Sequence, residues 1–105
     1  MDIKYTVNIT LAANNDLDEI YSYISNTLDS EQSALNLMRE MQDMILSLSE
    51  MPERFSLSPD PALAARGYRR AVVKKYVILY IVDKENKTVS VMRIFHGSMN
   101  YAEYI

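Results

Sequence analysis

One imidazole and a handful of nearby cations are the side chains in this chain best suited to chemistry. His96 closes the run Arg93-Ile94-Phe95-His96-Gly97, and Arg69, Arg70, Lys74 and Lys75 lie upstream, ahead of an apolar stretch at residues 77–82. An arginine can hold a phosphate in bidentate fashion and stay charged while doing so. An imidazole that titrates near neutrality is a natural proton shuttle for RNA phosphodiester transfer, in which the 2'-hydroxyl attacks and the 5'-oxygen leaves. Tyr76, Tyr80, Tyr101 and Tyr104 supply rings that could stack on a base. Tyr76 and Tyr80 also alternate on one strand face with Ile78 and Val82, which makes core packing their plainer role.

The charge distribution supports a site in that region. Residues 1–61 hold three positive side chains, Lys4, Arg39 and Arg54, against eleven acidic ones. Residues 62–93 hold eight positive side chains against Asp83 and Glu85 alone. The formal net charge of -3 therefore conceals an acidic part and a basic part, and the basic part creates a local field that a polyanion or an acidic partner segment can use. With no cysteine there is no disulfide and no thiolate metal site, and a single histidine rules out a histidine cluster, so neither a metal nor another cofactor is expected.

The elements that must position these side chains follow from periodicity. At 105 residues the chain is expected to be one domain, residues 1–105, with a single core. Tyr5, Val7 and Ile9 alternate with polar neighbours as in a half-buried strand. Thr10 can cap a helix whose stripe is Leu17, Ile20, Tyr21, Ile24 and Leu28, leaving Asp16, Asp18 and Glu19 to water. Ser30 can cap a second helix with Ala34, Leu37, Met38, Met41, Ile45 and Leu48 on one face, running up to Met51-Pro52. Met38, Met41 and Met44 read as adaptable core filling. The short link between the helices makes them an antiparallel hairpin, which needs a sheet to cover its apolar face.

A loop over residues 52–61 and a helical turn at residues 62–65, ended by Gly67, precede strands at residues 68–73, 75–83 and 88–96. Residues 77–82 are apolar on both faces, as in a central strand covered on both sides, or covered on one side and packed by a partner on the other. Residues 99–105 are expected to fold back as a short turn. The fold class is thus α+β: an N-terminal strand and an antiparallel helical hairpin packed on a twisted antiparallel sheet. The apolar runs are strand-sized and the N-terminus does not read as a signal peptide, so a soluble cytoplasmic protein is expected.

Strand parity complicates the site. In an unbroken strand Arg93 and Phe95 face one way and Met92, Ile94 and His96 the other, so Arg93 meets His96 only if a bulge or strand end at Phe95-His96-Gly97 turns the chain.

The order of elements, with Tyr5-Thr6-Val7, Tyr23-Ile24, Pro52-Glu53-Arg54-Phe55, Gly67-Tyr68-Arg69, Val82-Asp83 and Arg93-Ile94-Phe95-His96-Gly97, resembles the RelE/ParE superfamily of toxins, often called plasmid stabilisation proteins. The resemblance spans nearly the whole chain. It implies the toxin of a type II toxin–antitoxin pair, neutralised in an oligomeric complex by an antitoxin whose extended segment wraps it. In the RNA-cleaving branch such a toxin enters the ribosome and cuts mRNA without a metal. Carried onto this chain, Arg69, Arg93, His96 and Tyr101 would be catalytic, and Arg70, Lys74 and Lys75 would hold RNA phosphates. In the other branch the toxin poisons DNA gyrase without that catalytic set. Endoribonuclease activity is the first expectation; a gyrase inhibitor, or a degenerate toxin that only binds its antitoxin, is the alternative. Where many relatives continue after His96-Gly97 with Arg-Arg and then Asp or Asn, this chain reads Ser98-Met99-Asn100, two cations fewer along an RNA path.

Overall fold

The computed structural model describes residues 4–99. Four strands, β1 (Thr6–Ile9), β2 (Arg69–Val73), β3 (Tyr76–Asp83) and β4 (Thr88–His96), form one sheet in the order β1-β4-β3-β2. Among the described residues three α-helices, α1 (Leu11–Ser22), α2 (Glu31–Ser47) and the short α3 (Pro61–Ala65), accompany the sheet, with a π-helical turn at Tyr23–Thr27 and a 3-10 turn at Pro52–Arg54. The strand and helix order matches the α+β hairpin-on-sheet arrangement expected from the sequence. The sheet itself is mixed rather than antiparallel throughout, because β1 lies parallel to β4 while β4–β3 and β3–β2 are antiparallel. A parallel neighbour requires a long connection, and the helical hairpin with β2 and β3 supplies it.

Thr10 joins the first strand to the first helix. Its side chain accepts the Ala13 amide at 3.1 Å, capping α1, and its hydroxyl donates to the Met92 carbonyl at 2.9 Å, fixing the helix start against β4. The face of α1 that packs inward carries Ala13, Asp16, Leu17, Ile20 and Tyr21, followed by Ile24 in the π turn. Two expectations fail here. Asp16 is buried, at 8% exposure, instead of facing water, and Leu28 is 56% exposed instead of extending the stripe. The π turn explains Leu28: one extra residue per turn rotates everything after Tyr23 out of phase with a regular helix.

Helix α2 begins at Ser30, whose hydroxyl accepts the Ser33 amide at 3.4 Å. It buries Ala34, Leu37, Met41 and Ile45, with Leu48 just beyond its end and Met38 and Met44 packed against the same core. The helix ends at Ser47, earlier than Met51-Pro52. Arg54 folds back over that end and donates to the carbonyls of Glu50 at 2.8 Å and Ser47 at 3.1 Å, adding a side-chain donor at the end of the helix.

Strand β3 is central and covered on both sides by the chain itself, the first of the two arrangements that its apolar run allows. Ile78 and Tyr80 point into the core beneath the helices with Ala71, Val73, Val89, Val91 and Ile94. Val77, Leu79 and Phe95 form a second, smaller cluster on the other face beneath Leu63 and Tyr68. Gly67, at φ +85°, ends the α3 turn in a conformation that side-chain-bearing residues rarely adopt.

The β3–β4 register slips once: Tyr80 pairs with Val91 and Leu79 with Arg93, which leaves Met92 as the extra residue. This bulge lies upstream of the expected break at residues 95–97. It lets Val89 and Val91 before it, and Ile94 after it, all face the helices. Arg93 and Phe95 consequently have the opposite parity, although the long Arg93 side chain still reaches Asp16 on α1, and His96 shares the parity of Ile94.

Candidate functional site

Beyond Ile9 the first strand no longer accompanies β4, and α1 takes over along that edge. The Ile94 amide, which would otherwise donate to a neighbouring strand, donates to Asp16 Oδ2 at 2.9 Å. The same carboxylate receives Arg93 Nε at 2.8 Å and Arg93 Nη2 at 3.0 Å, a bidentate pair. The Arg93 guanidinium lies 4.4 Å from the centroid of the Phe95 ring. Hydrogen bonding to Asp16 is the leading cause that pushes the Arg93 pKa above its ordinary value, so this cation is never neutral in the working pH range.

These groups border an open cleft of about 540 Å³ between α1 and the end of β4, lined by Asp16, Glu19, Ile20, Tyr23, Tyr76, Arg93, Ile94, Phe95, His96, Ser98 and Met99. The wall is largely aromatic and aliphatic. Among the described lining residues the formal charges are two carboxylates, Asp16 and Glu19, and one guanidinium.

His96 pairs with Tyr76 across the sheet, and the two rings meet edge to face with centroids 5.4 Å apart. Its Nδ1 accepts the Ser98 amide at 3.1 Å and lies 2.7 Å from the Ser98 hydroxyl oxygen. An acceptor at Nδ1 places the proton of the neutral ring on Nε2. Burial, with a smaller contribution from Tyr23, raises the Tyr76 pKa, keeping the phenol protonated at neutral pH. Gly97 sits where a Cβ would meet the Lys75 carbonyl oxygen at 3.2 Å, and its own amide donates to that oxygen at 2.7 Å. The β2–β3 turn is thereby tied to the end of β4.

The structure therefore brings Arg93 and His96 to one cleft and places Lys74 and Lys75 in the turn beside it. Arg69 is not part of the group. It belongs to the helix-facing parity of β2, where Nη1 donates to the Phe55 carbonyl at 2.7 Å and Nη2 lies 3.3 Å from Glu53 Oε2. Next to it the Tyr80 hydroxyl donates to the Pro52 carbonyl at 2.7 Å. Arg69 and Tyr80 thus hold residues 52–55 against the sheet. Arg70 has the opposite parity, on the face away from the helices, and Lys74 pairs with Glu40 at 3.5 Å. Tyr101, and the turn expected at the C-terminus, lie outside the described residues.

Asp16 is the residue that the sequence reading missed as a site member. Its signal was nonetheless present: with Ala13, Leu17 and Ile20 it occupies one helix face, and an acidic side chain on an apolar stripe needs a buried partner. Among the described residues no group of three or more histidine, cysteine or acidic side chains could hold a metal ion, and no helix is long and apolar enough to cross a membrane.

A family model described as the ParE toxin of the type II toxin–antitoxin system parDE matches residues 7–101. Among curated proteins no relative matches. Solved structures do: a chain of the chromosomal ParDE toxin–antitoxin system from P. aeruginosa is 20% identical over 89% of this chain and 96% of its own, with a TM-score of 0.73. A chain of the toxin–antitoxin complex RelBE2 from Mycobacterium tuberculosis is 25% identical over 90% of this chain and 92% of its own, with a TM-score of 0.68. The fold is thus shared with chains from systems of both names.

Proposed function

Because this chain belongs to the ParE toxin family of type II toxin–antitoxin systems, we propose that it is a toxin that acts by binding its target, DNA gyrase, and does not cut RNA. The observation that carries this reading is the state of the two arginines that a nuclease would need. Arg93 is held bidentately by Asp16, and Arg69 is spent on Glu53 and the Phe55 carbonyl. His96 keeps an aromatic neighbour and a Ser98 contact, and the arginine that shares its cleft is compensated by Asp16. A phosphodiester transfer needs charge stabilisation at the phosphorane as well as a proton shuttle, and the pairing of both arginines with protein acceptors argues against the first.

The partner that silences it would be an antitoxin with an extended, partly acidic segment. Arg70 and the Lys75 side chain, which form no ion pair among the described residues, are suited to receive such acids.

The decisive measurement compares two assays on the purified toxin. Loss of supercoiling or gyrase-dependent DNA cleavage, with mRNA left intact on ribosomes, is the expected result. Codon-positioned cuts in ribosome-bound mRNA, with gyrase unaffected at saturating toxin, would refute the proposal and restore the nuclease reading.

A further inference from the structure

Asp16 makes three hydrogen bonds to β4, and only one of them is required to complete the strand edge. The Ile94 amide needs an acceptor, which any side-chain oxygen at this position would supply. The two bonds to Arg93 do something else: they put a carboxylate where a bound phosphate or carboxylate ligand of that guanidinium would lie. The carboxylate is buried and the guanidinium carbon lies 4.4 Å from the Phe95 ring centroid, so the pair is part of the wall and not a loose surface contact.

We propose that Asp16 is a specificity-determining residue that serves as a built-in anion on Arg93 and thereby excludes nucleic-acid phosphate from the cleft. Single-stranded RNA entering the cleft would have to displace a carboxylate that is covalently part of the protein, effectively at high local concentration, and would meet Glu19 as well. An apolar or uncharged polar group of a partner protein faces no such exclusion, because it makes no demand on the guanidinium. This proposal deepens the binding-toxin reading above, but its test reads RNA affinity and not gyrase activity, so either can fail alone.

The experiment measures binding of a fluorescent single-stranded oligoribonucleotide by anisotropy over a range of salt concentrations. Asp16→Asn keeps an acceptor for the Ile94 amide and removes the charge. It should bind RNA at least about tenfold more tightly than the parent, with a salt slope steeper by about 0.7, the value for one additional phosphate contact on a single strand. Asp18→Asn changes the net charge equally at an exposed position of α1 and should leave affinity and slope at the parental values. Asp16→Asn combined with Arg93→Gln should lose the gain. An equal gain from Asp18→Asn, or a gain that survives Arg93→Gln, would overturn the proposal, as would no gain at all from folded Asp16→Asn. Should Asp16→Asn fail to fold, the parent protein still decides: the Arg93 Nε–H resonance should stay unmoved on RNA addition, and a saturable shift would show that the site is open.

Discussion

Replacing Asp16 with alanine tests whether one carboxylate really completes the edge of β4. Two losses combine. The Ile94 amide is buried and its acceptor is Asp16 Oδ2, so truncation leaves a donor unsatisfied at a cost of about 1–3 kcal/mol. The Arg93 side chain is 26% exposed and can rehydrate in part, so the broken ion pair adds only about 1 kcal/mol. The sum, roughly 2–4 kcal/mol, corresponds to a fall in Tm of roughly 8–16 °C for a domain of this size. Asp16→Asn retains one acceptor and should lose about half as much. Urea unfolding of the parent, both single variants, Arg93→Gln and the double variants measures these values and the coupling, which should be about 1 kcal/mol between positions 16 and 93. If Asp16→Ala unfolds within about 0.5 kcal/mol of the parent, the carboxylate is not the edge acceptor and the reasoning about the cleft loses its foundation.

Three other substitutions probe neighbouring features. Arg69→Ala removes the donors that hold residues 52–55 and should destabilise the protein by about 1–3 kcal/mol. Toxicity at permissive temperature should then fall only as far as the folded fraction falls; abolished activity in a fully folded variant would assign Arg69 a direct role. Burial raises the pKa of the Tyr80 phenol above its ordinary value, with Arg69, Arg54 and others acting as smaller influences. The folded state therefore favours the protonated phenol, and its stabilisation is complete below the unfolded pKa of about 10 and is lost as pH rises through the higher folded value. Unfolding followed at increasing alkaline pH should show this decline, and Tyr80→Phe should flatten it while costing about 1 kcal/mol at neutral pH through the bond to Pro52. An unchanged alkaline slope in Tyr80→Phe would show that another group governs it. Gly97→Ala should crowd the Lys75 carbonyl and cost about 1 kcal/mol, read as a lower urea midpoint at constant slope.

The sequence made most of the architecture legible because its signals were local. Thr10 and Ser30 cap the helices they were expected to cap, Gly67 ends α3, and the apolar stretch of β3 is covered on both faces. What escaped depends on phase and on distance. A π turn displaced Leu28, and the extra residue at Met92 reversed the parity of everything after it, including Arg93 and His96. The parallel pairing of β1 could not be read from either strand alone. The candidate site suffered most from the habit of treating cations as unpaired: Arg69 and Arg93 stood out in the sequence, but their acidic partners Glu53 and Asp16 lie 16 and 77 positions away.

The pairing of Thr6 with Thr88 has a temporal implication for synthesis. A chain emerging from the ribosome exposes β1 and the helical hairpin long before β4 exists, and closing so large a loop is entropically demanding. The helices can form early, but their inner faces gain the complete sheet only when β4 has been added. Nascent toxin should therefore stay protease-sensitive and inactive until β4 has been made, giving co-expressed partner chains a window in which to meet it before it is a finished poison.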